Sequence, residues 1–403
     1  MDRRQFLFGI GAFAAATTLR AADAPSFRAG DVRLTPPEEI GRRVMAARPK
    51  LGGPIPRDLP RRLGATHYAG KYHLTAEPFL IEGCKQLQKL GMNIAKLWFG
   101  PHLDGHGYNS KWDFPPKVTL AEIAGHDYFR QAFAMPFSTF ALEIQPVGNY
   151  GGAWHKPGAS YAEDEQQFYD LTKRLLQSYK DRDVLFILQH WEGDWMVRDR
   201  PGDDWQKTRP ASAEQRCDAM ARWLEARQRG VTRARKEFGP SRCRVEHAAE
   251  VNRVFDGLQG VPTLLTHVLP RIGLDRVSWS CYDGVGDAAN LWHGIELIRA
   301  AAKPPEDRPK TEVFIGEIGI PERQRQPAEV EEFWDRSLAV CFALDIPHIF
   351  AWELYCNEIE NKSAKGPVYR EEDLRGFWLI KPDGTLGIGG KYLVDVLHRA
   401  ADH

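Results

Sequence analysis

The chain has 403 residues, of which 43% are hydrophobic and 27% charged, so it is long enough to bury the core of one large domain. Lysine plus arginine and aspartate plus glutamate both total 54, and the formal charge at pH 7 is therefore zero. Because a nucleic-acid-binding protein needs an excess of basic residues on at least one face, this balance argues against a nucleic-acid partner and favours a neutral ligand.

The first 24 residues have the pattern of an export signal. The pair Arg3-Arg4 precedes an apolar stretch at residues 8–19, and an alanine-rich segment follows at residues 21–24. The paired arginines resemble those of a twin-arginine signal. The apolar stretch is shorter than the roughly 20 residues that span a bilayer. The sequence therefore predicts export to the periplasm or the medium, with no stable membrane span after the signal is removed.

The rest of the chain divides into an arm and a barrel. Residues 25–62 are rich in proline, which predicts an arm that wraps the bottom of the barrel. From residue 63 to residue 403, short apolar runs alternate with amphipathic stretches, which is typical of repeated strand–helix units. Eight strands are predicted, at Leu63–Ala69, Asn93–Phe99, Phe140–Val147, Val184–His190, Arg244–Ala249, Val277–Tyr282, Val313–Glu317 and His348–Glu353. Eight such units favour a single-domain α/β fold, the (β/α)8 TIM barrel with long top-face loops, over a doubly wound sheet.

Two helix starts have the sequence of a capping box. They are Ser160-Tyr161-Ala162-Glu163 and Ser212-Ala213-Glu214-Gln215. The second one opens a long charged helix that we expect to continue to Phe238 and to end at Gly239.

Cysteine spacing excludes a zinc knuckle or a redox motif, because no Cys-x-x-Cys pair occurs. Several of the six cysteines lie within apolar patterns, so we expect buried thiols, and one disulfide remains an alternative.

Two acidic residues stand at the ends of predicted strands, Glu192 after the fourth and Glu317 at the end of the seventh. Barrel enzymes carry their chemistry at the carboxyl ends of the strands. Hydrolysis of a glycosidic bond with retention needs a protonated carboxyl beside the leaving oxygen and an ionised one beneath the anomeric carbon, about 5 Å apart. The pair therefore predicts a hydrolytic site. Capping of a helix, or pairing with a nearby arginine, is the alternative for each residue taken singly.

Glu250 follows the fifth predicted strand and is a second candidate for the acid. The alternative for this residue is a ligand to a sugar at a neighbouring subsite.

Motifs around these positions point to a known family. Glu317 lies in Gly316-Glu317-Ile318-Gly319, Tyr282 ends the sixth predicted strand, and Trp352 lies at the end of the eighth. Through them the chain resembles the large clan of retaining glycoside hydrolases that includes cellulases, β-mannanases and β-galactosidases. The resemblance implies a (β/α)8 barrel with Glu192 as acid/base and Glu317 as nucleophile. It also implies that Tyr282 touches the nucleophile and that Trp352 floors the sugar site.

The chain departs from the clan at three positions. Trp191 stands directly before Glu192, where the clan usually has asparagine. Lys96 replaces a frequent arginine on strand two, and Ser280 replaces a histidine two residues before the tyrosine. Two interpretations follow, a divergent glycosidase with different contacts to the reacting sugar, or a barrel that binds glycans without cleaving them.

Aromatic rings in the top-face loops favour a carbohydrate ligand, because flat rings stack on sugars, although the same rings also pack loops together. The candidates for substrate binding are Trp98, Asn149, His190, Trp191, Trp195, Glu250, Asn252, Tyr282 and Trp352. We expect Trp191 and Trp195 to raise the pKa of Glu192, and the hydroxyl of Tyr282 to keep Glu317 charged.

Histidines raise the question of a metal. Six lie near predicted strand ends or the loops after them, namely His67, His73, His102, His106, His155 and His190. Their spacing does not fit a ligand set on converging strand ends, so we expect no metal and no cofactor. A metal-assisted hydrolase or isomerase remains the third hypothesis.

Overall fold

The computed structural model describes residues 27–101, 103, 110–145, 150–198, 205–363 and 370–401. Eight parallel strands close into a barrel in which each strand pairs with the next and the eighth pairs with the first. They are β1 Leu63–His67, β2 Ile94–Phe99, β3 Thr139–Ile144, β4 Val184–Gln189, β5 Cys243–Val251, β6 Arg276–Ser280, β7 Glu312–Ile318 and β8 Ile349–Ala351. The predicted (β/α)8 barrel is therefore confirmed, and each strand starts within one residue of its predicted start.

Helices surround the barrel and fill most of the connections between strands. In the described residues they are α1 Pro37–Ala47, α2 Phe79–Lys89, α3 Leu120–Ile123, α4 Asp127–Ala134, α5 Ala162–Tyr179, α6 Gly193–Val197, α7 Trp205–Thr208, α8 Ala213–Phe238, α9 Ala288–Ala301, α10 Pro327–Ala343 and α11 Ile388–Ala401. Between β5 and β6 the connection contains only a 3-10 turn, Phe255–Gln259, and a π turn, Leu264–Val268.

The barrel interior is built in layers. Its lower part is filled by an apolar cluster, which consists of Ile94, Ala141, Leu185, Ile187, Ala248, Phe314 and Phe350. Side chains two residues apart on a strand share a face. The inward positions directly above this cluster are Lys96 on β2, Glu143 on β3, Gln189 on β4 and Glu250 on β5. A polar layer therefore rests on an apolar base, at the carboxyl ends of the strands.

A register shift in β7 completes that layer. Pairing with β6 proceeds from Ile315 opposite Trp279 to Glu317 opposite Ser280, so Gly316 is the extra residue of a bulge. A Cβ at Gly316 would overlap the hydroxyl of Ser278 and lie 2.9 Å from Oε2 of Glu250. Glycine is required here because the polar layer passes so close to the backbone.

The two predicted capping boxes are absent. Tyr161 is the N-cap of α5 and Ser212 that of α8, and neither of these side chains accepts a capping hydrogen bond, although the hydroxyl of Ser160 accepts one from the amide of Ala162 at 3.4 Å. Ser212 has helical dihedral angles, whereas a capping side chain needs an extended N-cap to reach the third amide. A complete box does occur at Thr119 and Glu122, where α3 begins. The predicted end of α8 is confirmed, since Phe238 is its last residue and Gly239 has φ of 81°.

The N-terminal arm lies against the outer helices α9 and α10, rather than under the barrel alone. The hydroxyl of Thr35 donates to Glu296 at 2.5 Å, and Nε of Arg48 donates to Asp335 at 2.5 Å. Residues 1–26 lie outside the described part, so the export signal stays a prediction. All six cysteines are buried and unpaired, as expected. Within the described ranges, none of the helices combines the length and the apolar character that crossing a bilayer requires.

Candidate active site

Glu192 occupies a sharp turn between β4 and α6. Its backbone is left-handed, with φ of 47° and ψ of 52°, and its amide donates to Oε1 of Glu250 at 3.1 Å. A Cβ on the next residue, Gly193, would lie 2.6 Å from the carbonyl oxygen of Glu250. The turn therefore packs directly on the end of β5, and it leaves the side chain of Glu192 partly exposed above the polar layer.

Asp194 holds this turn in place. Its two carboxylate oxygens accept hydrogen bonds from the backbone amides of Asn252 at 2.8 Å, Arg253 at 3.1 Å and Leu264 at 2.8 Å. The side-chain oxygen of Asn252 accepts a bond from the amide of Asp194 at 3.2 Å. Asn252, a candidate sugar ligand from the sequence, thus joins the Glu192 turn to β5.

Left-handed backbone at a residue with a side chain costs about 1–2 kcal/mol, which glycine avoids. We therefore expect Glu192→Gly to be more stable than Glu192→Ala by about 1 kcal/mol in chemical denaturation, although both lose the same carboxylate. The same pair of substitutions at Trp191, whose φ is not positive, is the control, and there alanine should be the more stable. An alanine advantage at both positions would contradict the turn geometry.

Glu317 is buried at the end of β7 and accepts hydrogen bonds at both carboxylate oxygens. Nζ of Lys96 donates to Oε1 at 3.2 Å, and the hydroxyl of Ser280 donates to Oε2 at 3.2 Å. The hydroxyl expected from Tyr282 is thus supplied by Ser280, one of the three departures from the clan. Tyr282 itself is 41% exposed, and its ring meets that of Phe377 edge-on at 6.3 Å.

Lys96 lies at the centre of the polar layer. Its Nζ is 2.5 Å from Oε1 of Glu143, 3.2 Å from Glu317 and 3.4 Å from Oε2 of Glu250, and it donates to the carbonyl oxygen of Gly316 at 2.9 Å. Sequence reasoning missed Glu143. The available signal was a charged residue within the apolar run of β3, which is buried along its whole length.

Glu250 is a hub of this layer. Besides the amide of Glu192, its carboxylate accepts from Nε2 of Gln189 at 2.7 Å and from the hydroxyl of Ser278 at 2.8 Å. It is fully buried. A carboxylate so enclosed by donors suits an anchor for the Glu192 turn better than a second acid, which must reach the substrate.

The two candidate catalytic carboxyls are electrostatically distinct. Burial raises the pKa of Glu192 to about 9, and the charges of Glu317 and Glu250 add to that effect. Burial also raises the pKa of Glu317, but Lys96 opposes it, and the result is about 7. Glu317 therefore ionises before Glu192, which is the order that an acid and a nucleophile require.

Aromatic residues cover the rim of the site. Trp98 is only 2% exposed, because Tyr68 stacks on it at 3.7 Å and Trp191 meets it edge-on at 4.6 Å. Tyr68, which was not among the predicted ligands, and Trp191 are both partly exposed and cover Trp98. Trp98 therefore supports the rim instead of presenting an open face to a ligand.

Trp195 and Trp352 are partly exposed and are held by protein contacts. The guanidinium groups of Arg198 and Arg253 lie over the ring of Trp195 at 5.6 and 5.5 Å. The indole nitrogen of Trp352 donates to Glu358 at 3.3 Å. Asn149, a further candidate, lies outside the described residues.

His190 is placed away from the polar layer. It follows Gln189, which points into the barrel, and it therefore faces the surrounding helices, where its ring meets Trp223 of α8 edge-on at 5.4 Å. It is 1% exposed, and burial together with the positive charge of Arg227 lowers its pKa well below the ordinary value. The structure thus places His190 as a neutral packing residue.

Three carboxylates in the described part of the chain are close enough to share a cation. Oxygens of Glu143, Glu250 and Glu317 lie within 4.8 Å of one another. The ammonium of Lys96 already stands among them as a fixed positive charge. Of the histidines considered above, His67 is buried with Nε2 bonded to the carbonyl oxygen of Phe79 at 2.8 Å, and residues 102 and 106 lie outside the described ranges.

Comparison with known proteins adds to this geometry. No family model and no curated protein matches the sequence. Among solved structures, the chain is similar to a GH5_18 from Bifidobacterium longum subsp. infantis, with 14% identity and a TM-score of 0.54 over 84% of this chain and 78% of that chain. It is also similar to a GH5_18 variant from Streptomyces cattleya in complex with Manβ1-4GlcNAc, with 14% identity and a TM-score of 0.54 over 84% and 80%.

A third similar structure is the exo-β-1,4-mannosidase Op5Man5 from Opitutaceae bacterium strain TAV5. Here the identity is 12% and the TM-score 0.51, over 84% of this chain and 60% of that chain. At such identities the likeness shows a shared barrel fold. It agrees with the resemblance that the sequence motifs indicated.

Proposed function

We propose that the protein is a retaining glycoside hydrolase that cleaves a neutral oligo- or polysaccharide by double displacement. The observation that carries the proposal is the pair of glutamates at the ends of β4 and β7, with the pKa of Glu192 raised to about 9 and that of Glu317 to about 7. Between these values one carboxyl holds a proton and the other is charged.

In the first step Glu317 attacks the anomeric carbon and forms a glycosyl ester, while Glu192 gives its proton to the departing oxygen. In the second step Glu192, now a carboxylate, takes a proton from water, and the water oxygen displaces Glu317. Lys96 and Ser280 donate hydrogen bonds that orient the carboxylate of Glu317 before the attack. The same bonds stabilise its negative charge when it leaves the sugar in the second step.

Two of the similar structures support a choice of substrate. One is a complex with Manβ1-4GlcNAc and another is an exo-β-1,4-mannosidase. The zero net charge of this chain and the partly exposed rings of Tyr68 and Trp191 suit a neutral sugar. We therefore propose β-1,4-linked mannosides as the first substrates to assay, beside β-glucosides and β-galactosides.

The decisive experiment follows the anomeric configuration of the first product by NMR and measures kcat/KM against pH. We expect retention. Activity should rise as pH passes about 7, where Glu317 ionises, and fall as pH passes about 9, where Glu192 loses its proton. An inverted product, or a profile that rises at the alkaline side, would contradict the assignment.

Two alternative functions can be distinguished from the proposed one with the same purified protein. A non-hydrolytic glycan-binding barrel, suggested by Trp191 in place of asparagine, would bind mannosides in calorimetry and release no reducing ends. A metal-assisted hydrolase would lose activity in a chelator and regain it with a divalent cation, whereas we expect activity to survive the chelator.

We also propose that the protein is exported through the twin-arginine route. Fusion of residues 1–30 to a reporter that must fold before export should place the reporter in the periplasm. The matched variant with Arg3→Lys and Arg4→Lys should keep it in the cytoplasm. Equal export of both fusions would exclude this route.

A further inference from the structure

Beneath the reacting pair, one positive charge faces three buried carboxyl groups. Lys96 on β2 contacts Glu143 on β3, Glu250 on β5 and Glu317 on β7 at 2.5, 3.4 and 3.2 Å, and the side chain of each of the four is 5% exposed or less. Oxygens of the three carboxyls lie within 4.8 Å of one another. Three negative charges at such separations cannot be balanced by one ammonium, so at least one carboxyl must hold a proton.

Hydrogen bonding shows which carboxyl this is. Glu250 accepts from Gln189, from Ser278 and from a backbone amide, and Glu317 accepts from Ser280 as well as from Lys96. Among the described residues, the Lys96 ammonium is the one donor that reaches the carboxyl group of Glu143, whereas Glu250 and Glu317 each have further donors. A buried carboxylate with so few hydrogen bonds loses much of its hydration free energy without compensation, and binding a proton avoids this loss by making the group neutral.

We propose that Glu143 carries a proton in the working enzyme and acts as a positioning residue, which contacts the Lys96 ammonium without neutralising it and so leaves that charge to Glu317 and Glu250. The inference rests on the proposed function. Burial and the charges of Glu250 and Glu317 raise the pKa of Glu143 well above its ordinary range, against the effect of Lys96, in agreement with the contacts.

The consequence concerns the nucleophile. If Glu143 were charged, it would be the nearest anion to Lys96, at 2.5 Å against 3.2 Å for Glu317. The ammonium would then stabilise Glu143 first, and the pKa of Glu317 would rise. A neutral Glu143 therefore keeps the nucleophile ionised, and it sets the pH at which activity begins.

Two variants distinguish this role from simple packing. Glu143→Gln keeps an oxygen for Lys96 and no charge, so the acid limb of kcat/KM should stay where it is in the wild type. Glu143→Leu removes the oxygen and lets the ammonium move to Glu317, so the acid limb should move to lower pH by about one unit. If the glutamine variant shifts as the leucine variant does, Glu143 is charged in the wild type and the proposal is wrong.

A second measurement needs no turnover and so survives a failure of the proposed function. The infrared difference spectrum of wild type minus Glu143→Gln at pH 8 should contain the carbonyl band of a protonated carboxyl group. The corresponding spectrum for the Glu246→Gln variant, at a carboxylate paired with Arg276 and Arg308, should contain only carboxylate bands. A carboxylate band at Glu143, or a glutamine variant that does not fold, would overturn the proposal, because glutamine imitates the neutral acid.

Discussion

Glu317→Gln should lower kcat/KM on a mannoside or another cleaved glycan by about 10⁴-fold or more. The pH of maximum stability should change only as far as the loss of one buried acid explains. The reason is that an amide cannot form the glycosyl ester. The measurement is steady-state hydrolysis of a natural glycan by folded protein, checked by circular dichroism.

Glu192→Ala should behave differently. The rate of hydrolysis of natural glycans should fall by about 10²–10⁴-fold, because the leaving oxygen is no longer protonated. An aryl glycoside whose leaving phenol is acidic needs no such proton, so the first step should still release the phenol in a burst. Azide should then restore turnover by forming a glycosyl azide with retained configuration. Failure of azide to restore turnover, with no burst, would remove Glu192 from the role of acid/base.

A matched control is available in the same connection as Glu317. Glu322 is also a buried glutamate, and it accepts bonds from the amides of Ile388 and Gly389 at the start of α11 and from the indole of Trp378. Glu322→Gln should therefore lower stability and leave the rate per folded molecule intact. An equal loss of rate in Glu322→Gln and Glu317→Gln would show that the loss comes from the fold.

Lys96→Met should be the most disruptive single change in the polar layer. It leaves Glu250 and Glu317 without their cation, and removing one partner of a buried ion cluster costs about 3–5 kcal/mol. The pKa of Glu317 should rise by about 1–3 units from about 7. The acid limb of kcat/KM should then approach the alkaline limb of Glu192, and the maximum should fall.

The pH dependence of stability has a defined sign in this variant. A carboxyl whose folded pKa is raised stabilises the fold below its unfolded pKa, and that contribution is lost as pH rises through the folded value. Because Lys96→Met raises the pKa of Glu317 further, its deficit in unfolding free energy should be larger at pH 8 than at pH 5. Lys96→Arg retains the cation and is the control. A loss of unfolding free energy in Lys96→Met that does not depend on pH would argue that Lys96 does not act through its charge.

The barrel was predictable from sequence because its determinants are local. Each strand is a short apolar run bounded by turn or capping signals, and these runs lie at the observed strands from Leu63 to Ala351. Glu192 and Glu317 were found for the same reason, since they follow such runs directly. The candidate pair needed no knowledge of any contact.

The remainder of the site was not predictable in this way. Glu143 has no motif, and Ser280 was noted only as a departure from the clan. Both matter because β3 and β6 bring them to Lys96 and Glu317 from far along the chain. His190 and Trp98 were selected as sugar ligands by position. Strand alternation turns His190 to the helices, and Tyr68 covers Trp98.

By itself the sequence determined the order of strands and helices, and two glutamates at the carboxyl ends of β4 and β7. The tertiary structure alone decided which groups set the pKa of each carboxyl. A pKa depends on burial and on charges within a few ångströms, and closure of the barrel sets both. The ammonium of Lys96 contacts Glu143, Glu250 and Glu317, which lie far apart in the sequence, only because four strands converge on one polar layer.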